Sequence, residues 1–203
     1  MSGSATLVSD YRFRGISLSD ERPAAQIAVS YDHESGAYAG AFASSVRLAP
    51  EEGGVQALGY VGYALRGAAG LSWDIGAAYS HFSKPGGYSY SEYHVGTAGT
   101  GWNGRLSYAP RYFGQQTSAV YAEVNMTPGS ERALVPLLHF GWLHVEEPLY
   151  YGRRSRWDAR VGIAYSLELM SFQLSWGTAS DAGGFAAESQ HRSAWALRVT
   201  RWL

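Results

Sequence analysis

No stretch of this chain offers the roughly 18 consecutive apolar residues that a membrane-spanning helix needs, yet apolar and polar residues alternate in segments that recur about every 15 to 18 residues. Successive side chains of a strand point to opposite faces, so alternation writes a sheet with one greasy face and one polar face. No segment carries the 3.6-residue period of an amphipathic helix. If such a chain enters a membrane it must cross as a closed barrel, since an open sheet edge would leave backbone groups unpaired in lipid.

The segments can be followed from end to end. Residues 4–19 set Leu7, Tyr11 and Phe13 against Asp10, Arg12 and Arg14; residues 23–34 set Ile27, Val29 and Tyr31 against Gln26, Ser30 and Asp32. In 36–48, Tyr38, Phe42, Val46 and Leu48 form the apolar face, with Ala39, Ala41, Ala43 and Arg47 opposite. The same writing continues in 55–66, 70–83 (Asp74 on the polar face), 88–100 (Glu92 and His94) and 102–113 (Arg105 and Arg111). It closes with 117–126 (Glu123), 133–145 (His139), 156–168 (Asp158 and Arg160), 171–180 (Gln173) and 193–203 (Arg198). That makes about twelve strands, an even number, as a single-chain bacterial barrel requires. The expectation is an all-β fold, a transmembrane antiparallel up-and-down β-barrel of about 12 strands, with residues 1–203 as one domain. Short connections at 34–36, 67–69, 100–101, 127–132 and 169–170 would be periplasmic turns. Those at 20–22, 49–54, 84–87, 114–116, 146–155 and 181–192 would face outward.

Periodicity alone does not say which face is inside. The polar face is crowded with small residues: Ala39, Ala41, Ala43, Gly62, Ala64, Gly76, Ala78, Gly96, Gly162, Ala164 and Gly177. These suit the concave side of a curved sheet, whereas a soluble exterior would carry long charged side chains. Six of the seven tryptophans, Trp73, Trp102, Trp142, Trp157, Trp176 and Trp195, lie on the apolar face, several near strand ends, and are expected to face lipid.

Composition removes other classes. Net charge is −1 with scattered basic residues, so nothing favours nucleic acid. Lys84 is the only lysine, and cysteine is absent, which removes disulfides and thiolate sites. The opening Met1-Ser2-Gly3-Ser4 lacks the charged and apolar regions of a signal peptide, so a leader is expected to have been removed before a bacterial outer-membrane protein of this kind reached its site.

The stretch Ser9-Asp10-Tyr11-Arg12-Phe13-Arg14-Gly15-Ile16-Ser17, followed by Ser30-Tyr31-Asp32-His33 and Gly36-Ala37-Tyr38-Ala39-Gly40, resembles the bacterial TorF porin family. Later strands resemble it in the same order, through Tyr60-Val61-Gly62-Tyr63, Tyr108-Ala109-Pro110-Arg111-Tyr112-Phe113-Gly114, His139-Phe140-Gly141-Trp142 and Asp158-Ala159-Arg160-Val161-Gly162-Ile163-Ala164-Tyr165. The resemblance covers nearly the whole chain and implies an outer-membrane barrel of channel function, with no settled substrate. The end departs from the pattern: Arg201-Trp202-Leu203 stands where many such barrels finish on Phe.

The expected pore lining is Asp10, Arg12, Arg14, Asp32, Arg47, Asp74, Glu92, Arg105, Arg111, Glu123, Asp158, Arg160 and Arg198. Confined charges must be paired or wet. One reading makes Asp10, Arg12, Arg14, Asp32 and Arg198 a structural ion-pair network. The other has Arg12, Arg14, Arg47 and Arg111 lining a constriction that selects by charge. Among the histidines, His139 and His144 fall on opposite faces and only Glu92 and His94 share one, so neither a metal nor a cofactor is expected. No Ser, His and Asn or Asp share a face with the close spacing a lipid-modifying enzyme needs, so no reaction is expected.

The function expected is therefore that of an outer-membrane porin or narrow channel for passive passage of small hydrophilic solutes or ions. The alternative is a non-conducting structural or interaction barrel whose lumen is plugged by salt bridges. Outer-membrane lipid and small hydrophilic solutes or ions are the expected partners, and homo-oligomer formation is left open.

Overall fold

In a computed structural model that describes residues 1–49, 52–67, 70–83, 87–129, 133–148, 153–181 and 191–203, the chain is a closed antiparallel barrel of twelve strands. Its wall is β1 (Ser2–Val8), β4 (Ala24–Asp32), β5 (Ala37–Ala49), β6 (Glu52–Arg66), β7 (Ser72–Phe82), β8 (Tyr90–Gly99), β9 (Trp102–Ala109), β10 (Ala119–Met126), β11 (Leu134–Val145), β12 (Ser155–Ser166), β13 (Met170–Ala179) and β14 (Ser193–Trp202). Neighbours in sequence are neighbours in the wall, and β1 closes it by pairing both β4 and β14. Closure removes every sheet edge, so each wall strand is hydrogen-bonded on both sides. Among the described residues no helix is long and apolar enough to cross a membrane, and Tyr112–Gly114 forms a 3₁₀ turn. The sequence-marked connections at 49–54, 67–69, 84–87, 127–132, 146–155 and 181–192 lie partly outside the described residues, as does Lys84.

The exterior is apolar. Ile75 and Trp195 are 65% and 66% exposed, and Leu7, Ile27, Val61, Tyr79, Tyr93, Phe140 and Leu197 are likewise open. Water would not tolerate so continuous an apolar belt, but lipid would. Trp142 stands opposite Trp157 and Trp176 opposite Trp195, near the end of the barrel away from the chain termini. Trp73 and Trp102 lie near the other end, so all six tryptophans are on the outer face in two groups, of which Trp176 is half-buried.

Two readings of the sequence are corrected. Residues 4–19 are not one strand: β1 stops at Val8 and the chain turns into the lumen as a small hairpin, β2 (Arg12–Phe13) paired with β3 (Ile16–Ser17). Its two-residue turn is Arg14-Gly15, both at positive φ (52° and 78°), the geometry that matches the twist of paired strands and favours Gly at the second position. Tyr11 and Phe13 therefore do not face lipid. Tyr11 donates its hydroxyl to Gln56 at 3.0 Å inside the barrel, and the Phe13 ring packs edge-on against Phe113.

The second correction concerns β5, whose faces are exchanged. Tyr38, Phe42, Val46 and Leu48 point inward, in register with inward Asp32, Ala28 and Gly62, while Ala39, Ala41 and Ala43 face out. Size misled the reading: a lumen half-filled by its own residues takes large side chains, and small ones can face lipid.

The core lies inside the barrel, toward the end away from the termini. Leu18 from the hairpin, Tyr112 and Phe113 from the 3₁₀ turn, and Val46, Leu48, Phe82, Tyr90, Tyr121, Leu143 and Val145 from the wall form one cluster. Leu18 and Tyr112 are wholly buried. The ring centroids of Phe113 lie 4.8 Å from Tyr112 and 5.0 Å from Tyr90, within the range where aromatic pairs attract beyond simple burial. Two inward segments thus share one apolar plug, which fixes the hairpin against the β5–β11 side of the wall.

Candidate functional site: an ion-lined lumen

Beside and below the plug a cavity of 760 Å³ runs along the lumen. Asp10, Arg12, Arg14, Asp32, Asp74, Glu92, Arg105, Glu123, Asp158, Arg160 and Arg198 line it. Arg47 and Arg111 do not. Arg47 stands between inward Val46 and Leu48 on β5, at a bulge, and Arg111 is exposed on the approach to the 3₁₀ turn. The constriction read from Arg12, Arg14, Arg47 and Arg111 together is therefore not assembled. Of those four, the two hairpin arginines enter the lumen.

The hairpin is held by charge as well as by packing. Arg12 bonds Asp10 at 2.5 Å and Glu21 at 3.1 Å, and Glu21 in turn accepts from the His191 backbone N–H at 2.6 Å. Asp10 also accepts from the Ser17 hydroxyl at 2.6 Å, tying the two arms together. Arg14 reaches Glu92 on β8 at 2.7 Å, with its guanidinium 4.2 Å from the centre of the Tyr121 ring. At the tip, a Cβ on Gly15 would lie 2.7 Å from the Ala179 Cβ, so the backbone abuts β13 and only Gly fits. The five-residue ion-pair network drawn from the sequence is thus rearranged: Asp10 and Arg12 pair, Arg14 goes to Glu92, and Asp32 and Arg198 belong to neither pair.

Two further clusters sit on the wall. On one, Asp74 accepts from the Tyr38 hydroxyl at 2.8 Å and contacts His94 Nε2 at 2.8 Å, with Arg105 at 3.9 Å. On the other, His139 contacts Asp158 at 2.9 Å and Asn125 at 2.7 Å, while the Tyr121 hydroxyl donates to Asp158 at 3.1 Å. In each of these two clusters the carboxylate therefore has a histidine and a tyrosine, as confined charge demands. Tyr38, Tyr121, Asn125 and Glu21 escaped the sequence reading. A signal for the tyrosines was present in the glycines: a Cβ at Gly62 would collide with Tyr38, and one at Gly141 with Tyr121. The small residues of the inner face make room for a ring from the next strand. Among the described residues no group of three His, Asp or Glu side chains could hold a metal ion.

The sequence matches, over residues 1–190, the family described as bacterial protein of unknown function, Gcw_chp. The chain belongs to the Gcw_chp family. The sequence of this Gcw_chp protein has no match among curated proteins. Solved structures share its fold. The NanC porin aligns with a TM-score of 0.64 at 10% identity, covering 98% of each chain. The KdgM porin aligns at 0.62 and 9%, covering 99% of this chain and 98% of its own. LpxR from Salmonella typhimurium aligns at 0.51 and 8%, covering 100% and 99%. The Gcw_chp chain is thus built as a closed twelve-strand barrel similar to outer-membrane porins.

Proposed function

We propose that this protein is an outer-membrane channel for passive passage of small hydrophilic solutes or ions, narrowed by the hairpin that β1 sends into the lumen. The observation that carries the reading is the inversion of a soluble protein: an apolar exterior around a cavity of 760 Å³ lined by ionic groups. Such a lumen keeps water and charge inside and lipid outside. Below the plug the inner face is polar and open, with Ser4, Ser30, Asn103, Asn125 and Gln173 accessible between the turns at the termini's end and the cavity. The resemblance to TorF porins and the shared fold with NanC and KdgM support it; one KdgM structure is described as a complex with disordered oligogalacturonate. On this reading the protein needs no cofactor and performs no reaction.

A second reading has its own observation. The hairpin tip touches β13 and the plug fills the opposite side, so the barrel could be a closed structural element. Osmotic swelling of liposomes holding the refolded protein separates the two. Swelling in small sugars that ceases as solute size rises supports the channel; no swelling in any solute supports the closed barrel.

A further inference from the structure

We infer that β12, β13 and β14 carry an anion-binding site in the lumen, formed by Arg160, Gln173 and Arg198, whose ligand is a small hydroxylated carboxylate. The inference rests on the channel reading for its physiological meaning, but its chemistry stands on the wall itself.

The three side chains come from consecutive strands and share the inner face. Arg198 stands opposite Gln173 in the β13–β14 register, Arg160 stands opposite Gly177 two turns of the pleat further along β13, and all three line the cavity. Neither arginine is engaged by a carboxylate among the described residues, unlike Arg12 and Arg14. The two acids that stand two residues from Arg160 and from the partner of Arg198 are committed elsewhere. Asp158, two residues from Arg160 on the same face, is taken by His139 and Tyr121; Asp10, two residues beyond the Val8 that faces Arg198, is taken by Arg12 and Ser17.

Both guanidiniums enter the same cavity, from the two strands that flank β13. Like charges placed side by side without a counter-ion are unfavourable, and an anion between them reverses the sign of the interaction. Guanidinium donors form forks that fit a carboxylate, and the Gln173 amide adds a neutral donor. The rest of the lumen wall supplies what a polyol needs: Tyr38, Asp74, His94 and Glu123 offer hydroxyl, imidazole and carboxylate groups to hydroxyls. A cavity of 760 Å³ accommodates a six-carbon solute with water to spare.

The test uses D-gluconate and its neutral counterpart sorbitol, with the full chain refolded in detergent and binding read by saturation-transfer NMR and calorimetry. Gluconate is expected to bind at least ten times more tightly than sorbitol. The Arg160→Gln/Arg198→Gln variant should lose that preference, and Arg160→Lys/Arg198→Lys should keep most of it. Arg201→Gln, which removes one positive charge outside the lumen, should leave it unchanged. Equal binding of the two solutes, or unaltered gluconate binding in the glutamine variant, would overturn the site. Conductance is read separately: gluconate binding with silent bilayers contradicts passage and leaves the site standing, whereas conductance without gluconate preference contradicts the site alone.

Discussion

Arg14, at the turn of the inner hairpin, donates to Glu92 on the wall strand β8 at 2.7 Å, and this ion pair joins the one inward segment near the N-terminus to the barrel that surrounds it. Both partners are largely removed from water, with side chains 6% and 19% exposed. A pair so placed contributes little when intact but is costly to break, because the remaining charge is stranded. Arg14→Ala is expected to destabilise the barrel by about 3 kcal/mol. Arg14→Met/Glu92→Leu, which removes both charges and keeps volume, should recover most of that loss in urea unfolding.

The tip of the hairpin depends on a missing side chain. Gly15 has φ near 78° and its hydrogen faces Ala179 and Asp158 where a methyl would not fit. Gly15→Ala combines a left-handed backbone, costing about 1–2 kcal/mol in an L-residue, with a collision against the wall. The expected outcome is a tip lifted from β13, seen as faster trypsin cleavage after Arg12 and Arg14 in a barrel whose strand content by circular dichroism is unchanged.

Acid should loosen the mouth. Burial pushes the Glu21 carboxyl up, but hydrogen bonds from His191 and the charges of His191 and Arg12 outweigh it and hold its pKa below the ordinary value. A carboxyl depressed in the folded state stabilises that state above its unfolded value, about 4.3, and loses the contribution as pH falls through the lowered folded value. Open-channel noise is therefore expected to rise below about pH 4. Glu21→Gln should show that noise at neutral pH, and an identical pH profile in the variant and the parent would argue against this anchor.

The exterior gives a prediction independent of the lumen. Leu174, exposed on the outer face of β13 between Phe172 and Trp176, sits in the apolar belt. Leu174→Arg is expected to cost about 2–4 kcal/mol in bilayer folding, as a charge at mid-depth on the lipid face does. The same change at Gln173, its inward neighbour, should cost far less.

The barrel was legible because a twelve-strand wall repeats one simple pattern, and the orientation followed from where the tryptophans stand. What alternation could not carry is a departure from the wall. Residues 4–19 alternate like a strand, yet Arg14-Gly15 is a hairpin turn, and its Gly was the one available sign. The exchanged faces of β5 have a related cause, since Tyr38 and Phe42 fill space that the sequence does not reveal to be empty. Pairings such as Arg14 with Glu92, 78 positions apart, depend on the depth of the hairpin in the lumen, which no local pattern encodes.

Planar-bilayer recording of the refolded chain tests the central claim most directly. The account predicts small, discrete steps in potassium chloride that grow when Arg14→Ala or Gly15→Ala frees the hairpin. Bilayers that stay silent with the parent chain and with both variants, although the barrel has folded, would contradict it.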